Sequence, residues 1–184
     1  MQRPRGQLER EIARWRRGAG VRPEPLPLKP GQESVWDYPR PPRLEPVPRP
    51  LRVEVGGQIV ADTRAGLRVL ETASPPTYYI PPQDIRMDLL VQGRGTSWCE
   101  WKGRALYWDF AHAEQTVRHL AWSYPDPYDE YQALRGYLAF FVHCTDACWV
   151  GHERATPQPG GFYGGWVTSQ VAGPFKGEPG SEGW

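Results

Sequence analysis

The sequence predicts a mainly β, antiparallel fold preceded by a short N-terminal helix and a proline-rich arm. Three observations carry that prediction. Apolar and polar residues alternate with a period of two after Pro50, paired glycines fall where such a strand must reverse, and aromatic and β-branched residues gather in short runs. At 184 residues the chain is long enough to bury a core, and one core domain with appendages is the expectation.

Taken in order, Leu8, Ile12 and Trp15 stand at i, i+4 and i+7, a helical stripe over Gln7 to Arg17 ringed by Arg10, Arg14, Arg16 and Arg17. Gly18 and Gly20 end it. Such a helix either lies solvated with one apolar stripe docked, or meets a membrane surface or an acidic partner. From Val21 to Pro50 the chain holds ten of its 21 prolines. Each removes a backbone donor and fixes φ, so this stretch reads as an extended arm. Val35, Trp36 and Tyr38 within it are costly to leave in water and predict an arm laid on the body.

Leu51, Val53 and Val55 then alternate with Arg52 and Glu54, Gly56-Gly57 supplies the positive φ of a two-residue turn, and Gln58 to Thr63 returns. Leu67 to Thr72, Ser97 to Trp101, Ala105 to Ala111 and Gly136 to Val142 read as further strands. Val117 to Tyr124 fits either period, and the strand is preferred because Trp122-Ser-Tyr-Pro reads as a strand end. The last residues place Phe162, Tyr163, Trp166, Phe175 and Trp184 among glycines, a composition for a tail anchored by aromatics. The expected organisation is residues 1–50 as helix and arm packed on the body, 51–155 as core domain, and 156–184 as tail.

Residues 1–50 carry 11 Lys+Arg against 6 Asp+Glu, and the remainder 11 against 15. A nucleic-acid binder concentrates positive charge on its folded body, so nucleic acid is not the expected partner. Apolar runs such as Leu138 to Val142 fall far short of the roughly 20 residues a membrane span needs. No apolar stretch follows the N-terminal arginines, and three cysteines, an odd number, argue for reduced thiols; both point to the cytoplasm.

Three segments carry a family resemblance: Tyr78-Tyr-Ile-Pro-Pro-Gln-Asp-Ile-Arg-Met-Asp-Leu-Leu90, Cys99-Glu-Trp-Lys-Gly103 with Tyr107-Trp108 behind it, and Ala121-Trp-Ser-Tyr-Pro-Asp-Pro127. From about Arg52 to Phe141 the chain resembles the domain of unknown function 427 family. The arm motif GQESVWDYPRPP and the tail motif PQPGGFYGGW with GPFKG look like those of longer bacterial members. The resemblance implies a β-tent, or Mss4-like, architecture in which two antiparallel sheets lean together over a groove. Function does not follow from fold. The family's nominal nucleotidyltransferase label finds no Gly-Ser motif with trailing paired aspartates and no Gly-rich phosphate loop here.

Four groups of residues bear on chemistry. Asp84, Arg86 and Asp88 alternate with Ile85, Met87 and Leu89, which on a strand places the charges on one face. They form either a structural ion-pair ladder, or a site where Arg86 orients an anionic group and Asp88 moves a proton. Lys102, between Glu100 and Gly103 and flanked by aromatics, either snorkels from a hairpin turn or is desolvated, its pKa lowered by burial, as nucleophile or base. Glu100 is a further proton carrier. Trp101, Trp108, Trp122 and Tyr124, with Tyr79 and Tyr107 from the same motifs, either fill a core or form a cage for a flat ring or a cation.

Cys99, His143, Cys144, Cys148 and His152 invite a metal, and some β-tent proteins hold a structural zinc. On a strand, however, Cys144 and Cys148 would lie about 13 Å apart, too far to share an ion, so neither metal nor cofactor is expected. Cys99 lacks a fixed neighbouring base and reads as an inert thiol. Three functions follow from these groups: a small-molecule enzyme with an aromatic groove, a binding module using the same cage without turnover, and a docking protein working through helix and arm. The oligomeric state is open.

Overall fold

The computed structural model describes residues 1–4, 6–18, 23–181 and 183–184. Gly20, expected to help end the helix, and Val21 and Arg22 at the head of the arm lie outside the described residues, as does the Arg17 side chain.

Helix α1 spans Gln7–Gly18, and its Leu8 and Ile12 pack against buried residues of the body. Strands follow as β1 (Glu33–Ser34), β2 (Arg43–Pro46), β3 (Leu51–Val55), β4 (Gln58–Thr63), β5 (Leu67–Leu70), β6 (Thr77–Tyr79), β7 (Leu90–Cys99), β8 (Gly103–His112) and β9 (Gln115–Ser123). The chain continues with β10 (Leu138–Phe140), β11 (Ala147–Val150), β12 (Glu153–Arg154), β13 (Thr156–Pro157), β14 (Trp166–Val167) and β15 (Val171–Ala172). They assemble as two four-stranded antiparallel sheets, in the orders β12-β11-β3-β4 and β10-β9-β8-β7. A three-stranded antiparallel sheet, β2-β5-β6, adds to them. The short pairs are β13-β14 and the parallel β1-β15. No barrel closes among the described residues.

The hairpin of β3 and β4 turns on Gly56 and Gly57, with φ of 59° and 72°. Two successive positive φ values match the right-handed twist of the strands and strongly favour glycine. Along β10, Leu138 and Phe140 enter one core, formed with Val53, Val60 and Phe110, while Ala139 between them enters a second, formed with Val69, Tyr79, Trp101 and Tyr131. Period-two alternation thus gives the β7–β10 sheet two apolar faces, and each fully buried large side chain there contributes about 1.5–3 kcal/mol.

The proline-rich arm lies on the body. Val35 is fully buried and Trp36 nearly so, and the Trp36 indole donates to the Pro174 carbonyl at 2.9 Å. Arg68 on β5 holds the arm by pairing with Glu33 and Glu45. In the tail Trp166 is completely buried and donates from Nε1 to the Phe140 carbonyl at 3.0 Å, next to the Tyr78 ring.

Two expectations are corrected. Pro81 and Pro82 open a 3-10 turn over Pro82–Asp84, and a second covers Met87–Leu89, so Asp84, Arg86 and Asp88 do not share a strand face. The strand expected from Gly136 to Val142 is only Leu138–Phe140. It gives way to a 3-10 turn at Val142–Cys144, so Cys144 and Cys148 stand on different elements. Cys148 is buried with the Thr145 hydroxyl 3.3 Å from its sulfur.

Candidate functional site

A cleft of about 520 Å³ opens on the side of the β7–β10 sheet that carries the second core. The end of β7 and the turn after it supply Trp98, Cys99, Glu100 and Trp101, while Tyr107 on β8 and Trp122 on β9 form one wall. Tyr124 follows β9, and Phe141 and His143 follow β10. The tail closes the opposite side with Gly161 to Gly164 and Lys176, and Glu71 enters from the end of β5.

The aromatic walls hold each other in place. Trp122 meets Phe141 with ring centroids 4.4 Å apart, and Tyr107 stacks on His119 at 4.5 Å. His119 reaches that position because β9 breaks its alternation there: its φ is 51° and its N–H turns to the Asp109 carboxylate at 2.7 Å. A non-glycine residue at positive φ carries local strain, here held by that bond. The tail backbone touches the indole of Trp122 directly, since a Cβ added to Gly164 would lie 2.0 Å from Cη2.

Charge is arranged around these rings. Arg40, its side chain almost wholly covered, places Nε 3.2 Å from the Glu71 carboxylate, donates to the Thr72 carbonyl at 2.9 Å, and stacks its guanidinium 4.7 Å over the Trp15 ring of α1. Lys176 sits 5.6 Å from the centroid of the Tyr163 ring. Burial first, then the like charge of Arg40, pull the Lys176 amine below the ordinary lysine value, against the opposite pull of Glu71 and Glu100. Trp101 lines the cleft while 2 % exposed, and its Nε1 donor has no hydrogen-bond partner among the described residues.

Glu100, Trp101, Tyr107, Trp122 and Tyr124, all named from the sequence, line this one cleft. Tyr79 and Lys102 lie behind its wall: Tyr79 is buried 6.3 Å from the Trp122 ring, and the Lys102 ammonium lies 5.8 Å from the Tyr124 ring and 6.0 Å from that of Tyr131. Burial opposes a charge on Lys102, yet Cys99, Tyr124, Tyr79 and Glu71 act the other way and leave its pKa above the ordinary lysine value. Of the two alternatives for Lys102, the side chain is buried rather than snorkelling, and its pKa is raised rather than lowered. Burial raises the Tyr79 phenol to about 12, so that group stays neutral.

Four of the residues singled out from the sequence fall elsewhere. Trp108 is next to Tyr107 on the same strand, so it faces the first core, where its indole donates to the Ser123 hydroxyl at 2.9 Å. Arg86 and Asp88 pair with each other at 2.6 and 2.8 Å in solvent, outside the cleft. Asp84 accepts from the Thr63 hydroxyl at 2.5 Å. Sequence reasoning missed Glu71, Phe141, Tyr163 and Lys176 as residues of the cleft. Strand parity alone separates Tyr107 from Trp108, but nothing local tells that the tail folds back over Trp122.

Among the described residues no three His, Cys, Asp or Glu side chains stand where they could hold a metal ion, and no helix is long and apolar enough to cross a membrane.

The fold and cleft define a mainly β protein of several antiparallel sheets with an open aromatic pocket on one of them. The chain belongs to the family described as a domain of unknown function (DUF427), whose profile matches residues 43–151. A comparison with curated proteins gives no match. The matched stretch runs from the start of β2 to just past β11, so the tail residues that close the cleft lie beyond it.

Proposed function

We propose that this chain binds a small planar organic molecule in the aromatic cleft. The observation that carries the reading is the cleft itself: rings from β7, β8, β9, the segment after β10 and the tail surround about 520 Å³ that no side chain fills. Flat ligands gain from stacking on such walls. The β-tent architecture belongs to the same proposal, supported by two four-stranded antiparallel sheets contributing to a common core. So does a cytoplasmic setting, which suits three free cysteines.

A catalytic reading of the cleft keeps Glu100 as proton carrier and gains Glu71 and Lys176, while Arg86 and Asp88 have no part in it. Docking through α1 is the weaker reading, because Leu8 and Ile12 are already used against the body.

The test is a thermal-shift and tryptophan-fluorescence screen of nucleobases and small aromatic acids. A ligand present at 100 times its Kd adds about 2.7 kcal/mol to stability. We expect at least one such class to shift the melting temperature and to lose its effect in Trp122→Ala. Undiminished binding to Trp122→Ala and Tyr107→Ala variants would place the ligand elsewhere and overturn the reading.

A further inference from the structure

We propose that Lys176 is a covalent amine site, condensing with the carbonyl of an aromatic aldehyde or ketone seated in the cleft. This rests on the cleft being a ligand site and adds the ligand's reactive group.

The chain's use of lysine points there first. Of its 22 basic residues 19 are arginine; the lysines are Lys29, Lys102 and Lys176. Arginine therefore serves nearly everywhere that only a surface charge is wanted. Two of the three lysines lie at the cleft, one behind its wall and one in it. Arginine cannot lose its proton in a protein, whereas a desolvated lysine can, and that difference matters only where an amine lone pair is used.

Placement singles out Lys176 of the two. It lines the cleft, and its side chain makes no ion pair or hydrogen bond among the described residues. Of the two carboxylates that line the cleft, Glu71 is engaged by Arg40. The backbone of Lys176 is pinned on both sides: its N–H donates to the Ala73 carbonyl at 2.7 Å and its carbonyl accepts from Gln158 at 2.9 Å. A half-buried amine with the guanidinium of Arg40 nearby gives up its proton more readily than a surface lysine, because burial and that like charge outweigh the pull of Glu71 and Glu100. Lys102, held protonated, does not compete.

The step balances without oxidant or reductant. The Lys176 Nζ lone pair attacks the carbonyl carbon and the C–O π pair moves to oxygen. A proton passes from nitrogen to that oxygen, giving a carbinolamine. The nitrogen lone pair then forms C=N as the hydroxyl, taking one more proton, leaves as water; the nitrogen's remaining proton is released to leave a neutral imine. Glu71 and Glu100 are the carboxylates of the cleft that can carry these protons.

The experiment uses the full chain, 2-naphthaldehyde with cyanoborohydride as trap, and peptide mapping by mass spectrometry. With only three ε-amines, exposed Lys29 is the internal reference. We expect one arylmethyl group on Lys176, added several-fold faster than on Lys29, since a desolvated amine holds its proton less firmly than a surface one. Lys176→Arg should lose this addition, whereas Lys29→Arg, away from the cleft, should keep it and bind 2-naphthoate as wild type does by tryptophan fluorescence. Labelling of Lys176 no faster than Lys29, in a protein that binds 2-naphthoate, would overturn the covalent proposal and leave the cleft reading intact. Failure to bind 2-naphthoate, with Lys176 also unselective, would overturn both. The wild-type map decides even where the variant folds poorly.

Discussion

Gln158 clamps Lys176 from behind the cleft. Its Nε2 donates to the Lys176 carbonyl at 2.9 Å while its Oε1 accepts the N–H of Gly165 at 3.1 Å, so one buried amide joins two separated turns of the tail. Gln158→Ala leaves the Gly165 donor and the Lys176 acceptor without partners. An orphaned buried group costs about 1–3 kcal/mol, so the buried Gly165 donor alone sets a loss of at least that size in urea unfolding, with weaker binding in the cleft. A change below about 0.5 kcal/mol, the size of an ordinary surface substitution, would mean that the amide does not join the tail.

Trp166 fastens the same tail to the main core. Removing its side chain opens a large void beside Tyr78 and strips the Phe140 carbonyl of its donor. Trp166→Ala should cost about 3–5 kcal/mol in equilibrium denaturation. Trp166→Phe keeps most of the packing and isolates the hydrogen bond, so its cost should be clearly smaller; equal losses for the two variants would refute that division.

How far the sequence made this visible depended on whether the deciding contacts were local. Gly56-Gly57 announces its hairpin because two adjacent positive φ values are a property of the turn alone. Val35 and Trp36 announce a packed arm because no solvent-exposed conformation hides them. The alternation of Asp84, Arg86 and Asp88 misleads, since Pro81 and Pro82 impose a 3-10 turn that side-chain periodicity does not register. The cleft was half legible. Trp101, Tyr107, Trp122 and Tyr124 could be read as a cage, but Lys176 meets them only through the return of a tail far along the chain.

Gly164 tests that return directly. Its backbone lies against the Trp122 indole, and a methyl group placed there would meet Cη2 at 2.0 Å, a contact that forces tail and ring apart. Gly164→Ala should cost about 1–3 kcal/mol, as overpacking does, and change tryptophan emission as Trp122 shifts. Gly183→Ala, where a Cβ would meet nothing within 4 Å, is the matched control and should stay within about 0.5 kcal/mol of wild type. Similar behaviour of the two variants in stability and emission would contradict the described contact.

Acid should loosen the arm through Glu33. Burial pushes the pKa of this carboxyl up, but hydrogen bonds from Tyr38, at 2.6 Å, and from Arg68, at 3.0 and 3.1 Å, outweigh it and hold the group below its ordinary 4.5. A carboxyl with a depressed folded pKa binds fewer protons folded than unfolded, so its contribution is complete above the unfolded value and disappears as pH falls through the folded one. Wild type should therefore exceed Glu33→Gln in urea midpoint at pH 7, and the gap should close progressively as pH drops below about 4.5, the value of the unfolded carboxyl. Glu33 sits on β1, whose parallel pairing with β15 joins the arm to the tail, so the loss should also appear as faster amide exchange in Glu33–Ser34. A midpoint gap that stays constant from pH 7 to pH 3 would show that the carboxylate's charge does not hold the arm.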